Sequence, residues 1–152
     1  MGKKLNILFL CTGNSCRSQM AEGWTNHLKS DVITAYSAGI ETHGLNQNAV
    51  KVMKEAGVDI SNHESQHLNE FTGHHFDYVI TVCSHAHETC PLFPGNARTI
   101  HVGFDAPPVL AQKLKHTDQI LDCYRKVRDQ IKTFILTLPD CLENKGVHDE
   151  SF

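Results

Sequence analysis

The segment Cys11-Thr12-Gly13-Asn14-Ser15-Cys16-Arg17-Ser18 encloses five residues between a cysteine and an arginine. An apolar run, Leu5 to Leu10, precedes it and a helical pattern follows. At the carboxyl end of a buried strand such a loop is an oxyanion cradle. The N–H groups of Thr12 through Ser18 can wrap a tetrahedral anion, and Gly13 allows the tight turn. Arg17 supplies a planar fork for two anion oxygens. Cys11 lies at the floor as nucleophile, its thiolate favoured by the helix N-terminus and Arg17, with a hydrogen bond expected from Ser18. Asn14 is expected to brace the loop and Cys16 to pack within it.

Two further cysteines extend this chemistry from hydrolysis to redox. Cys83 ends an apolar strand pattern, Phe76 to Val82. If that strand neighbours the first, about 4.8 Å away, both sulfurs finish on one edge. Cys90 follows seven residues later. Were the segment between them helical, the two would lie roughly 10 Å apart, too far for a disulfide unless it unwinds. Together they suggest a relay carrying oxidising equivalents away from Cys11, and hence reduction of an oxyanion. Asp105, in Gly103-Phe104-Asp105-Ala106-Pro107-Pro108, leaves the same predicted edge and could protonate a departing oxygen. Zinc is a rival reading, since Cys83, His85, His87 and Cys90 are suitable ligand types, although their spacing fits no common finger pattern. The other histidines, His43 and His63 included, read as surface or turn residues.

The elements that must position these groups alternate. Strands are predicted at Leu5 to Leu10, Val32 to Tyr36, Phe76 to Val82 and Arg98 to Val102. Helices are predicted at Gln19 to Lys29 with Ser18 as N-cap, at Asn46 to Ala56 with Gly57 just beyond, and along the stripe from Ile120 to Leu138, stopped by Pro139. Alternation of this kind implies an α/β fold, an open parallel sheet with helices on both faces. Residues 1–139 are expected to form a single catalytic domain, and the polar residues 140–152 a loosely ordered tail.

At 152 residues, with 40% hydrophobic and 20% charged side chains, the chain suits one globular domain. A net charge of -3 and the lack of a basic stripe argue against nucleic acid. The apolar run after Lys3 and Lys4 is too short for a signal peptide or membrane span, so a cytoplasmic protein without membrane attachment is expected. Six cysteines in that compartment point to catalysis or metal binding over structural disulfides. Cys123 and Cys141 are assigned no chemistry, and a monomer is expected.

The stretch Cys11 to Ser18, continued by Gln19-Met20-Ala21-Glu22-Gly23, resembles the low-molecular-weight tyrosine phosphatase superfamily. With Cys83, Cys90 and Gly103-Phe104-Asp105 it looks like the thioredoxin-coupled arsenate reductases of that superfamily, over roughly residues 5–138. The resemblance implies a four-stranded parallel sheet. It also implies that Cys11 attacks arsenate while Asp105 protonates the leaving oxygen. Cys83 then attacks Cys11, releasing arsenite, and Cys90 takes the disulfide over for delivery to thioredoxin. Phosphate and sulfate would bind as analogues, and no cofactor would be tightly held. The resemblance places a potassium site at Asn14, Glu22 and Ser37, but Gln66 stands where a carboxylate is common, which weakens cation binding. The alternatives are a phosphatase using Cys11, Arg17 and Asp105 alone, and a thiol redox sensor.

Overall fold

The computed structural model describes residues 4–83 and 97–144. Four strands form one parallel sheet: β1 (Leu5–Cys11), β2 (Ile33–Gly39), β3 (Tyr78–Cys83) and β4 (Arg98–Phe104), in the order β2-β1-β3-β4. β1 is central because its middle is apolar at consecutive positions, and Ile7, Leu8, Phe9 and Leu10 are all fully buried. Alternate residues serve opposite faces. Ile7, Phe9 and Cys11 join the larger core, while Leu8 and Leu10 join a smaller one with Leu68, Phe71 and Phe76.

The helices are α1 (Arg17–Leu28), α2 (Gln47–Glu55), α3 (Pro107–Leu110), α4 (Thr117–Ile135) and α5 (Asp140–Asn144). A 3-10 turn over Leu68–Phe71 packs under the second face. Met20 and Trp24 of α1, Val52 and Met53 of α2, and Val127 and Ile131 of α4 meet over the first face. α2 begins where Asn46 caps it, its Oδ1 accepting from the amides of Asn48 and Ala49 at 2.9 and 3.1 Å. Gly57, at φ 89°, follows its end as expected.

Three expectations need correction. α1 starts at Arg17, and Ser18 lies inside the helix instead of capping it, because its hydroxyl is used elsewhere. Pro107-Pro108, read as loop, opens α3, since proline suits the first helical turn, where its missing N–H costs nothing. The supposed tail begins with α5, whose Leu142 is fully buried in the main core. One apolar anchor among polar neighbours gave no periodicity to read. Residues 145–152 lie outside the described residues, as does the 84–96 segment that contains Cys90.

The register aligns the strand ends. Cys11 pairs with Gly39 of β2, and Leu10 pairs with Thr81 of β3. Between β3 and β4 the pairing passes from Thr81↔His101 to Cys83↔Phe104, so β4 carries one extra residue there. Cys11, Cys83 and Phe104 therefore finish at one carboxyl edge, the edge where open parallel sheets bind ligands.

Candidate active site

The loop after β1 turns its carbonyls outward, and each finds a donor. Thr12 O accepts from the Glu41 amide at 2.9 Å, Gly13 O from the His43 amide at 3.0 Å and Ser65 Oγ at 3.1 Å. Asn14 O accepts from Gln19 Nε2 at 3.1 Å, Ser15 O from the Asn46 amide at 2.9 Å, and Cys16 O from Met20 N at 2.9 Å. With the carbonyls spent outward, the N–H groups are left for the concave side. Among the described residues, none of the amides of Gly13 to Cys16 donates to a protein acceptor. The left-handed residue that permits this is Asn14 at φ 48°, and Gly13 is not at positive φ. α1 has no side-chain cap, so its first amides also face the concavity.

Asn14 reaches Cys11 through Ser18. Its Oδ1 accepts from the Gln66 amide at 2.6 Å and from Gln19 Nε2 at 3.0 Å. That leaves Nδ2 to donate to Ser18 Oγ at 2.8 Å. Ser18 Oγ lies 2.9 Å from Cys11 Sγ, and toward a Cys11 thiolate, which can only accept, the hydroxyl is the donor. Asn14, Ser18 and Gln19 are fully buried, so the chain of bonds is shielded from water. Cys16 differs from Cys11. Burial pushes its thiol far above the ordinary range, the neighbouring Cys11 adds to this, and Arg17 opposes it. Cys16 therefore stays protonated, as its packing assignment requires.

Arg17 Nη1 donates to Phe104 O at 3.0 Å, fastening the guanidinium to the residue before Asp105. Two cavities share a wall made by Thr12, Arg17, Ala106 and Val109. One, of about 220 Å³, holds Cys11 and Cys16 with Gly13, Ser15 and His43. The other, of about 270 Å³, holds Cys83 and Asp105 with Leu110. The structure thus sets Arg17 in the wall between a cavity lined by Cys11 and one lined by Cys83 and Asp105. Cys90, with His85 and His87 of the zinc reading, lies outside the described residues.

The predicted potassium residues form a closed set. Ser37 Oγ donates to Glu22 Oε1 at 2.5 Å, and His63 Nδ1 lies 3.9 Å from the same oxygen. His63 also meets Gln19 Oε1 at 2.9 Å. Burial raises the Glu22 carboxyl above its usual range, with the Ser37 bond and His63 pulling it back. Among the described residues no buried side-chain polar atom lacks a hydrogen-bond partner. No cluster of three or more metal-ligating side chains occurs among them either, and no described helix is long and apolar enough to cross a membrane.

Reading the sequence missed two residues. His43 is exposed, as its surface reading has it, and it also lines the Cys11 cavity. His63 joins the buried polar set beneath the loop. Neither left a spacing signal, because each reaches the site through tertiary contact. For His43 one clue was available: a glycine within the loop can mark a close neighbour as readily as a turn.

Comparison with known proteins agrees with this architecture. The model of the low molecular weight phosphotyrosine protein phosphatase family matches residues 6–146. A Halalkalibacterium halodurans protein named arsenate reductase is 48% identical over 141 residues, 92% of this chain and 98% of that protein. A Staphylococcus epidermidis protein named arsenate reductase 2 is 45% identical over 132 residues, 87% of this chain and 94% of its own. Among solved structures, one described as an arsenate reductase in the phosphate binding state has a TM-score of 0.67 at 30% identity, covering 88% of this chain and 95% of that one. A low molecular weight protein tyrosine phosphatase from T. tengcongensis has a TM-score of 0.70 at 28% identity, covering 91% and 100%.

Proposed function

This chain belongs to the low molecular weight phosphotyrosine protein phosphatase family, and on that premise we propose that it is an enzyme reducing arsenate to arsenite by a three-cysteine relay. The observation that carries the proposal is Cys83, which lines the cavity with Arg17 and Asp105 at the mouth of the anion loop. Hydrolysis of a phosphate ester has no use for a second sulfur there, whereas reduction of an oxyanion requires one. The names of the relatives at 45 and 48% identity support the same choice.

The chemistry follows from the placement. Inward amides and the Arg17 fork hold three oxygens of arsenate. The Cys11 thiolate attacks arsenic(V): a sulfur–arsenic bond forms, an arsenic–oxygen bond breaks, and Asp105 protonates the departing oxygen so that it leaves as water. The Cys83 thiolate then attacks Cys11 Sγ. A disulfide forms and the electron pair of the sulfur–arsenic bond stays on arsenic, which leaves as arsenite, arsenic(III). Cys90 attacks Cys83, frees Cys11, and holds the oxidising equivalents as a Cys83–Cys90 disulfide. Thioredoxin, a dithiol protein, reduces that disulfide. The protein acts in this scheme as a cytoplasmic monomer with no resident cofactor, and no step passes through potassium.

Arsenate-dependent NADPH consumption with thioredoxin and thioredoxin reductase tests the scheme. The parent should turn over continuously, and Cys90→Ser should stall once Cys11 and Cys83 are joined. Sustained turnover in Cys90→Ser would overturn the relay. A parent that hydrolyses aryl phosphates but consumes no NADPH with arsenate would overturn the reductase and leave the phosphatase.

A further inference from the structure

We propose that His43, held in place by Glu41, is a second cationic binding residue for the oxyanion, lining the same cavity as Arg17. The inference deepens the function proposed above and rests on the loop being an oxyanion site. His43 belongs to the segment that follows β2 and lies alongside the loop, its amide bonded to Gly13 O at 3.0 Å and the Glu41 amide to Thr12 O at 2.9 Å. These two bonds fix the backbone of the segment against the cradle. The imidazole then lies over Gly13, so close that a Cβ there would come within 2.3 Å of Nδ1. Nε2 is taken by Glu41 Oε1 at 2.6 Å. The ring is therefore anchored by one nitrogen and presents the other to the loop.

That arrangement suits an anion. With Nε2–H directed to the Glu41 carboxylate, the other ring nitrogen stands against the loop, where a proton on it makes a donor toward a bound anion. The groups facing His43 are Glu41 on its own segment and Cys11, Cys16 and Arg17 on the loop. α3 presents Ala106, Pro108 and Val109, which carry no charge. Among the described residues lining this cavity, His43 is the one besides Arg17 able to bear positive charge. The chain as a whole carries -3 and repels a multiply charged oxyanion. One arginine leaves part of the anion's charge unmatched, and His43 lines the same cavity. The side chain is 53% exposed, so solvent moderates the gain to about fivefold in affinity.

His43→Gln and His43→Lys test the assignment, with kcat and KM for arsenate and the Kd of inorganic phosphate from calorimetry. His43→Gln should raise both KM and Kd about fivefold and leave kcat within about twofold. His43→Lys, which restores charge without the ring, should recover most of the loss. Unchanged KM and Kd in His43→Gln would overturn the proposal, as would a His43→Lys protein no better than His43→Gln. Phosphate affinity needs no turnover. A parent inactive toward arsenate would thus sink the reductase reading and still let the phosphate measurements decide for or against His43.

Discussion

Arg17 and Phe104 are joined by a 3.0 Å hydrogen bond from Nη1 to the carbonyl oxygen. The bond ties the arginine of the anion loop to the end of β4, one residue before the acid. Two segments far apart in sequence are thereby set by one side chain. Lysine in place of Arg17 keeps a charge but loses the fork, which serves both the anion and Phe104. Arg17→Lys should lower kcat/KM by about a hundredfold, as bidentate positioning is lost and the acid is left less well placed. Steady-state kinetics measure this, and circular dichroism should show an unchanged fold.

Ser18 offers a narrower test. Toward a Cys11 thiolate, which can only accept, its hydroxyl donates, while the oxygen accepts from Asn14 Nδ2. Ser18→Ala removes a donor to the nucleophile and strands a buried amide hydrogen of Asn14. The rate of Cys11 attack, followed in single turnover, should fall about tenfold. Stability in urea should fall by roughly 1–3 kcal/mol for the stranded amide. A slower rate with unchanged stability would show that Asn14 had found another partner.

The cysteine–arginine spacing exposed the cradle in the sequence because backbone amides and a fork can hold a tetrahedral anion only at about that separation. Asp105 and Cys83 were also legible, as residues at the ends of strand-like runs. Asn14 as the left-handed residue was not, because Gly13 beside it is the more usual choice. The role of Gly13 depends on His43, a residue distant in sequence, and no local pattern announces a contact made by another segment. Leu142 and α3 were hidden for the opposite reason: short elements carry too few residues for a period to show.

Glu22 should leave a mark on the pH dependence of stability. Burial raises its carboxyl in the folded chain, against a smaller opposing pull from Ser37 and His63. The folded protein therefore holds this proton more tightly than the unfolded one. Its contribution falls as pH climbs from the ordinary glutamate value of about 4.3 through the raised one, and is level above that. Glu22→Gln keeps an acceptor for Ser37 but cannot ionise. Relative to the parent it should gain stability between acid and neutral pH in urea titrations. A difference that stays flat across that range would rule this out.

Gly13 and His43 should prove coupled. A Cβ at Gly13 would stand 2.3 Å from His43 Nδ1, a separation that cannot persist, so something must move. The loop backbone is held by its outward carbonyl bonds, whereas the imidazole is half exposed and, among the described residues, fastened through its side chain only to Glu41. The ring should therefore swing aside, keeping the cost to stability near 1 kcal/mol, the low end for overpacking. Affinity for inorganic phosphate should drop about as far as in His43→Gln, since the displaced ring no longer faces the anion. Adding His43→Ala to Gly13→Ala should then cost almost nothing more in binding and should recover the lost stability. In a double-mutant cycle the two substitutions would show a coupling comparable to the whole effect of either. Strictly additive losses in phosphate affinity would mean that the glycine and the histidine act on the anion separately, with the loop backbone deforming while the ring stays in place.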